Sequence, residues 1–179
     1  MRPLSKALYL LPMIFGWLIS FAAIAFLTFV FMQGRGQDRE VVPLLLIPAM
    51  LPAMLGVGIP TMVFVYKAWA SIQDASPRTS PLAAVLLLFV PFFNLYWMFQ
   101  AYWGWTKDFN RFAMKQEARV YRAPEGLALT ICVLILLSMI PLLGPVFALV
   151  NQVLVLVFVS GGIDSVNSLI ASRGMVKAI

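Results

Sequence analysis

The stretch LAAVLLLFVPFFNLYWMFQAYWGW, residues 82–105, decides the fold of this chain. Pro91 and Asn94 interrupt it near the middle, and a Pro-x-x-Asn pattern is typical of a break in a helix. Each arm has about 10 residues, which as helix measures roughly 15 Å, or half of a ~30 Å hydrocarbon core. The segment is therefore either a re-entrant hairpin that turns back at the break, or a transmembrane helix kinked at Pro91.

The rest of the chain is equally apolar, and its runs predict further membrane helices over residues 8–33 and 41–70. Residues 126–171 form a second broken segment, with Pro141 and Gly144 at the break, and predict a helical hairpin. The sequence thus predicts one all-α domain, a polytopic integral membrane helical bundle with two Pro-broken hairpin or kinked segments.

Composition excludes several classes of chemistry. Hydrophobic residues make up 62% of the chain, charged residues 11%, and there is no histidine. Imidazole-based haem, zinc or copper sites and histidine-dependent nucleophilic catalysis cannot be built from such a chain alone. We therefore expect no enzymatic activity, no catalytic residue, no metal site and no cofactor. The net charge of +6 points to anionic lipid headgroups rather than nucleic acid.

The two broken segments share one plan. Each has an apolar arm, a Pro-apolar-apolar-Asn/Gly break, a second apolar arm and a polar tail with Asp and Asn. The tails contain Asp108 with Asn110, and Asp164 with Asn167. This order suggests an internal duplication.

The distribution of basic residues favours hairpins over single crossings. If both broken segments cross once, six basic residues lie on one side of the membrane and seven on the other. If both turn back, eleven lie on one side and only Arg35 and Arg39 on the other. The positive-inside rule favours the second arrangement, which places both termini in the cytoplasm. It requires the non-helical backbone at 91–94 to be buried in protein.

A basic stripe follows the first broken segment. Residues 105–122 predict an amphipathic helix whose cations recur every three or four residues, opposite Trp105, Phe109 and Phe112. Such a stripe binds lipid headgroups or an acidic partner, or it only sets the orientation of the protein in the membrane. The predicted binding residues are Lys107, Arg111, Lys115, Arg119 and Arg122.

Two further groups of side chains lie inside or beside the apolar runs. The aromatic residues predict a belt at the membrane interface, with a stacking site for a quinone or lipid tail as the alternative; the interface residues are Tyr96, Trp97, Trp103 and Trp105. The amides predict hydrogen bonds between helices, with a polar substrate path as the alternative; they are Asn94, Gln100, Asn151 and Gln152.

The latter part of the chain carries a resemblance. YKAWASIQD at 66–74, FVPFFNLYWMFQAYWGWTKDFNRF at 89–112 and GLALTICVLILLSMIPLLG at 126–144 resemble a family of uncharacterised bacterial membrane proteins. In many of those proteins the region follows a small GYF-like domain, whereas a hydrophobic helix precedes it here. The resemblance implies a bacterial inner-membrane setting, and it transfers no activity or catalytic residue.

These observations favour a non-catalytic accessory or scaffold subunit of a larger bacterial membrane complex, in contact with lipids and other membrane subunits. A small oligomeric channel or transporter is the alternative, because discontinuous helices often mark transport sites.

Overall fold

A computed structural model describes residues 2–33, 38–73, 77–115 and 120–177. These residues form helices without strands, and three helices are long and apolar enough to cross a membrane: Lys6–Gln33, Ile47–Ala70 and Gly144–Arg173. The predicted all-α membrane fold is therefore confirmed. The chain divides into two compact units, unit 2 (Ala7–Thr61) and unit 1 (Met1–Lys6 with Met62–Ile179).

Unit 2 contains most of helix α1 (Lys6–Gln33) and the first part of helix α2 (Asp38–Ala70). Helix α2 begins three residues earlier than predicted. The two helices approach closely at Gly16 and Gly56, because a Cβ on Gly16 would overlap the carbonyl oxygen of Pro52 and lie 3.0 Å from the Gly56 Cα. Small residues permit such contact between membrane helices.

Unit 1 contains two helical hairpins. Hairpin one comprises α3 (Pro81–Leu86), a 3₁₀ turn (Leu87–Phe89), α4 (Phe93–Met98), a π-helical turn (Phe99–Gly104) and α5 (Trp105–Lys115). Hairpin two comprises α6 (Glu125–Leu137) and α7 (Gly144–Lys177).

The arms of hairpin one fold back on each other. Ser80 caps α3 by accepting a 3.2 Å hydrogen bond from the Ala83 amide, and Pro81 occupies the first helical position. Further along, the Trp97 indole N–H donates to the Ala84 carbonyl oxygen at 3.2 Å, which joins the outgoing arm to the returning one. The chain therefore reverses at residues 90–92.

Both hairpins reverse through the same turn. In hairpin one the Phe93 amide donates to the Pro91 carbonyl at 2.7 Å, and the Asn94 amide to Val90 at 2.9 Å. The equivalent bonds in hairpin two measure 2.9 Å and 2.8 Å; they join Leu143 to Pro141 and Gly144 to Ile140. The residue after each proline has a positive φ, 61° at Phe92 and 70° at Leu142.

The first break is not buried by the rest of this chain. Phe92 is 88% exposed and Leu142 94% exposed within the chain. The turn does not require surrounding protein for its carbonyl groups, because those of Val90, Pro91 and Phe92 each accept a hydrogen bond inside the turn. The breaks are thus hairpin tips.

The core of unit 1 is a cluster of aromatic rings. Phe64 from α2 and Phe158 from α7 each contact Trp105 edge to face, with ring centroids 5.6 Å and 6.1 Å away. Phe109 and Tyr102 extend the cluster, at 5.5 Å from Trp105 and 6.0 Å from Phe158 respectively. These contacts hold α5 and α7 against the end of α2.

The helix predicted over 105–122 is shorter than expected. Helix α5 ends at Lys115, and residues 120–124 are not helical. The amides of Tyr121 and Ala123 donate to the side chains of Ser168 and Asn110 instead of to helical carbonyls, and Pro124 has no amide N–H to donate.

Candidate functional site

The polar residues of unit 1 meet where the hairpin arms begin and end, at the opposite end from the tips. We call this region the polar rim. It comprises the side chains of Lys6, Arg78, Asp108, Asn110, Glu125, Asp164 and Asn167, together with the backbone groups of Leu4 and Ala123. Each returning arm carries an aspartate and an asparagine, and each of these side chains binds a residue outside its own arm.

Asp108 holds the loop that precedes hairpin one. The Arg78 guanidinium donates to both of its carboxylate oxygens, at 2.9 Å and 2.6 Å, and also to Gln100 Oε1 at 3.1 Å. The hydrogen bonding to Asp108 raises the pKa of Arg78, although partial desolvation opposes the shift. A Cβ at Gly104 would lie 3.5 Å from the guanidinium, so the π-helical turn presents little bulk there. The ion pair therefore fixes the loop against the returning arm.

Asn110 holds the segment that leads into hairpin two. Its Nδ2 donates to the Ala123 carbonyl at 2.9 Å and to Glu125 Oε1 at 2.8 Å. The Ala123 amide donates to Asn110 Oδ1 at 2.8 Å. One buried side chain thus satisfies both backbone groups of Ala123, two residues before α6 begins.

Asn167 repeats this arrangement in hairpin two. The Leu4 amide donates to Asn167 Oδ1 at 2.7 Å, and Asn167 Nδ2 donates to the Leu4 carbonyl at 2.8 Å. Leu4 lies two residues before α1 begins, as Ala123 lies two residues before α6. Lys6 also pairs with Asp164 at 2.7 Å, but both side chains are more than 40% exposed, so this pair contributes at most about 1 kcal/mol.

The rim therefore contains the same clasp twice. In each hairpin the returning arm binds the backbone just ahead of another helix and pairs its aspartate with a cation from an earlier segment. The order of Asp and Asn suggested a duplication, but it did not identify Leu4, Ala123 or Arg78 as their partners. Arg78 lies 30 residues from Asp108, Ala123 lies 13 residues from Asn110, and Leu4 lies 163 residues from Asn167.

The predicted basic residues occupy two environments. Arg111 and Lys115 project from the exposed face of α5, while Phe109 and Phe112 are buried on the other face. Lys107 lies over the Trp103 ring, with Nζ 3.4 Å from the centroid. Arg122 is exposed beyond α5 and Arg119 lies outside the described residues.

Sequence reasoning missed one cation of unit 1. The Arg173 guanidinium lies 5.2 Å from the centroid of the Phe112 ring, so α7 contributes a charge beside α5. Because Phe112 and Arg173 are 61 residues apart in the sequence, no local pattern indicated this contact.

The predicted interface aromatics also divide. Tyr96 is exposed near the tip of hairpin one, and Trp97 and Trp103 are half-buried. Trp105 is only 1% exposed, so its prediction as an interface residue is wrong. It turns into the aromatic core because α5 packs against α2 and α7 on that face.

The amides in the apolar runs have different partners. Gln100 accepts from Arg78 and donates to the Tyr96 hydroxyl at 3.1 Å. Among the described residues, no hydrogen-bond partner is found for the side chains of Asn94, Asn151 and Gln152, and the Asn151 Oδ1 atom is buried. The expected bonds between helices are therefore not made for these three amides within the described chain.

Each carboxylate of the rim has a partner within the chain. Asp108 and Asp164 are paired with cations, and Glu125 accepts from Asn110. Within the described ranges, no group of three or more His, Cys, Asp or Glu residues could hold a metal ion.

A comparison with family models, one with curated proteins and one with solved structures each found no match to this chain. The resemblance to the GYF-linked membrane family stays a prediction.

Proposed function

We propose that this protein is a non-catalytic accessory or scaffold subunit of a larger bacterial membrane complex. The observation that carries the proposal is the pair Asn151 and Gln152 on α7. These adjacent amides lie in an apolar helix and lack hydrogen-bond partners in the described chain; the Asn151 Oδ1 atom is buried, so the groups open to another helix are the Asn151 Nδ2 and the Gln152 amide. In a membrane such groups are costly when unpaired, and they commonly bond to polar groups of another helix.

The surface around the pair suits helix packing. Leu149, Val150 and Val153 are about half exposed and surround the amides with aliphatic side chains. Aliphatic packing combined with one or two interhelical hydrogen bonds is typical of association between membrane helices. The partner in this proposal is a transmembrane helix of another subunit that carries a polar side chain at the matching depth.

The polar rim has a supporting role in the proposal. Its clasps hold the exposed cations Arg111, Lys115 and Arg122 beside the base of hairpin one. We propose that this face lies in the cytoplasmic headgroup region of the inner membrane, where basic residues bind anionic lipids. Both termini then lie in the cytoplasm.

Replacing both amides with leucine, Asn151→Leu and Gln152→Leu, is expected to release the protein from its complex. Interhelical hydrogen bonds in membranes contribute about 0.6–2 kcal/mol each, so losing two weakens association by roughly 10-fold to several hundred-fold. The measurement is co-purification from mildly solubilised native membranes, with particle size and mass spectrometry of the captured proteins.

The matched control is Thr130→Val on α6. The Thr130 hydroxyl donates to the Gly126 carbonyl of its own helix at 2.9 Å, so it needs no outside partner. This variant should retain every co-purifying protein. Wild-type protein that purifies only as a single chain or a homo-oligomer would contradict the proposal and support the channel alternative. Unchanged capture by the double variant would also contradict the role of the amides.

A further inference from the structure

The two hairpins begin at the same polar rim but differ in length. Pro91 lies ten residues after Pro81, whereas Pro141 lies sixteen residues after Glu125. On the returning arms, Asn94 lies 14 residues before Asp108, and Gly144 lies 20 residues before Asp164. Hairpin two is therefore longer by six residues in each arm.

The difference in arm length implies a difference in how far each tip reaches into the membrane. At 1.5 Å per residue, the returning arm of hairpin one extends about 21 Å from the aspartate to the turn, and that of hairpin two about 30 Å. A hydrocarbon core is also ~30 Å thick. From a common rim, the tip of hairpin two thus reaches the far side of the core, while the tip of hairpin one stops about 9 Å short.

The chemistry of the first tip suits hydrocarbon. No charged residue occurs between Arg78 and Lys107. The exposed tip carries Phe89, Phe92 and Tyr96, which are 69%, 88% and 57% exposed. A positive φ is sterically unfavourable for a large side chain in any environment, and turns usually place glycine or asparagine at such a position. Both tips place a large apolar side chain there instead.

We propose that hairpin one is a re-entrant element that enters the bilayer from the rim side, ends within the hydrocarbon and binds lipid acyl chains with its aromatic tip. The acyl chains of the opposite leaflet contact Phe92. Lipid, rather than protein, then fills the space between the tip of hairpin one and the far surface of the bilayer. Unit 1 then has a larger cross-section in the rim-side leaflet than in the opposite one.

The test is the depth of spin labels at the two equivalent tips. Phe92→Cys and Leu142→Cys are made separately in a Cys132→Ala background, in the full chain, and reconstituted in phosphatidylcholine and phosphatidylglycerol vesicles. Depth is read from collision with oxygen, which concentrates in hydrocarbon, and with a water-soluble nickel chelate. Lys115→Cys, exposed at the end of α5, serves as the control near the rim.

We expect both tip labels to be accessible to oxygen and shielded from nickel, with the label at residue 92 about 9 Å nearer the rim-side surface than the label at residue 142. Equal depths, or nickel access at residue 92, would overturn the proposal. Immobilised labels with spin–spin broadening would overturn it as well, because a second copy would then cover the tip. If either variant fails to fold, Val90→Cys and Ile140→Cys provide a second matched pair, since these residues are 43% and 42% exposed.

Discussion

Replacing Trp105 with alanine is expected to lower the free energy of unfolding by about 3–5 kcal/mol, the cost typical of removing a large aromatic side chain from a core. Trp105 is 1% exposed and contacts Phe64, Phe109 and Phe158. Its loss leaves a cavity where α2, α5 and α7 meet. The measurement is a denaturant titration in detergent micelles, followed by circular dichroism.

Trp105→Phe is the informative control. The Trp105 Nε1 atom is buried without a hydrogen-bond partner in the described chain, and an unsatisfied buried donor costs about 1–3 kcal/mol. Phenylalanine removes that cost while keeping most of the ring contacts. We therefore expect it to destabilise the protein much less than alanine does. Equal losses for the two variants would contradict the position of Trp105 in the aromatic core.

Replacing Asn110 with leucine is expected to cost about 2–4 kcal/mol, because the Ala123 amide and carbonyl both lose their partner in a buried position. The backbone ahead of α6 should then open locally. Hydrogen exchange measured by mass spectrometry should show faster exchange at the amides of residues 120–123.

Asn167→Leu is the matched variant in hairpin two. Its bonds to Leu4 are only partly buried, so water can replace them and the expected loss is smaller. Exchange should accelerate at Leu4 and remain unchanged at Ala123. Exchange that spreads equally through both hairpins in either variant would contradict two separate clasps.

The sequence predicted the helices because their signals are local. Long apolar runs, the Ser80-Pro81 helix start and the Pro-x-x-Asn and Pro-x-x-Gly breaks all act within a few residues. The non-helical conformation of residues 120–124 was missed because it depends on Ser168 and Asn110, which compete with helical carbonyls for the amides of residues 121 and 123. Such competition is visible only once the chain is folded.

The candidate site was less predictable for the same reason. Asp-x-Asn at 108–110 was recognisable as a pattern, but its partners are set by long-range packing. Trp105 shows why the location of a single residue is also hard to predict. Tryptophan favours both interfaces and cores, and only the neighbouring rings of Phe64 and Phe158 decide between them.

The most direct test of the two-hairpin arrangement is the side of the membrane on which Lys115 lies. Single cysteines at residues 2, 33 and 115, in a Cys132→Ala background, are labelled with a membrane-impermeant maleimide in right-side-out and inverted vesicles. If hairpin one returns to the polar rim, residues 2 and 115 label from the same side, and residue 33, at the far end of α1, labels from the other. Labelling of residues 33 and 115 from the same side would show that 81–105 crosses the membrane once, and would contradict the arrangement.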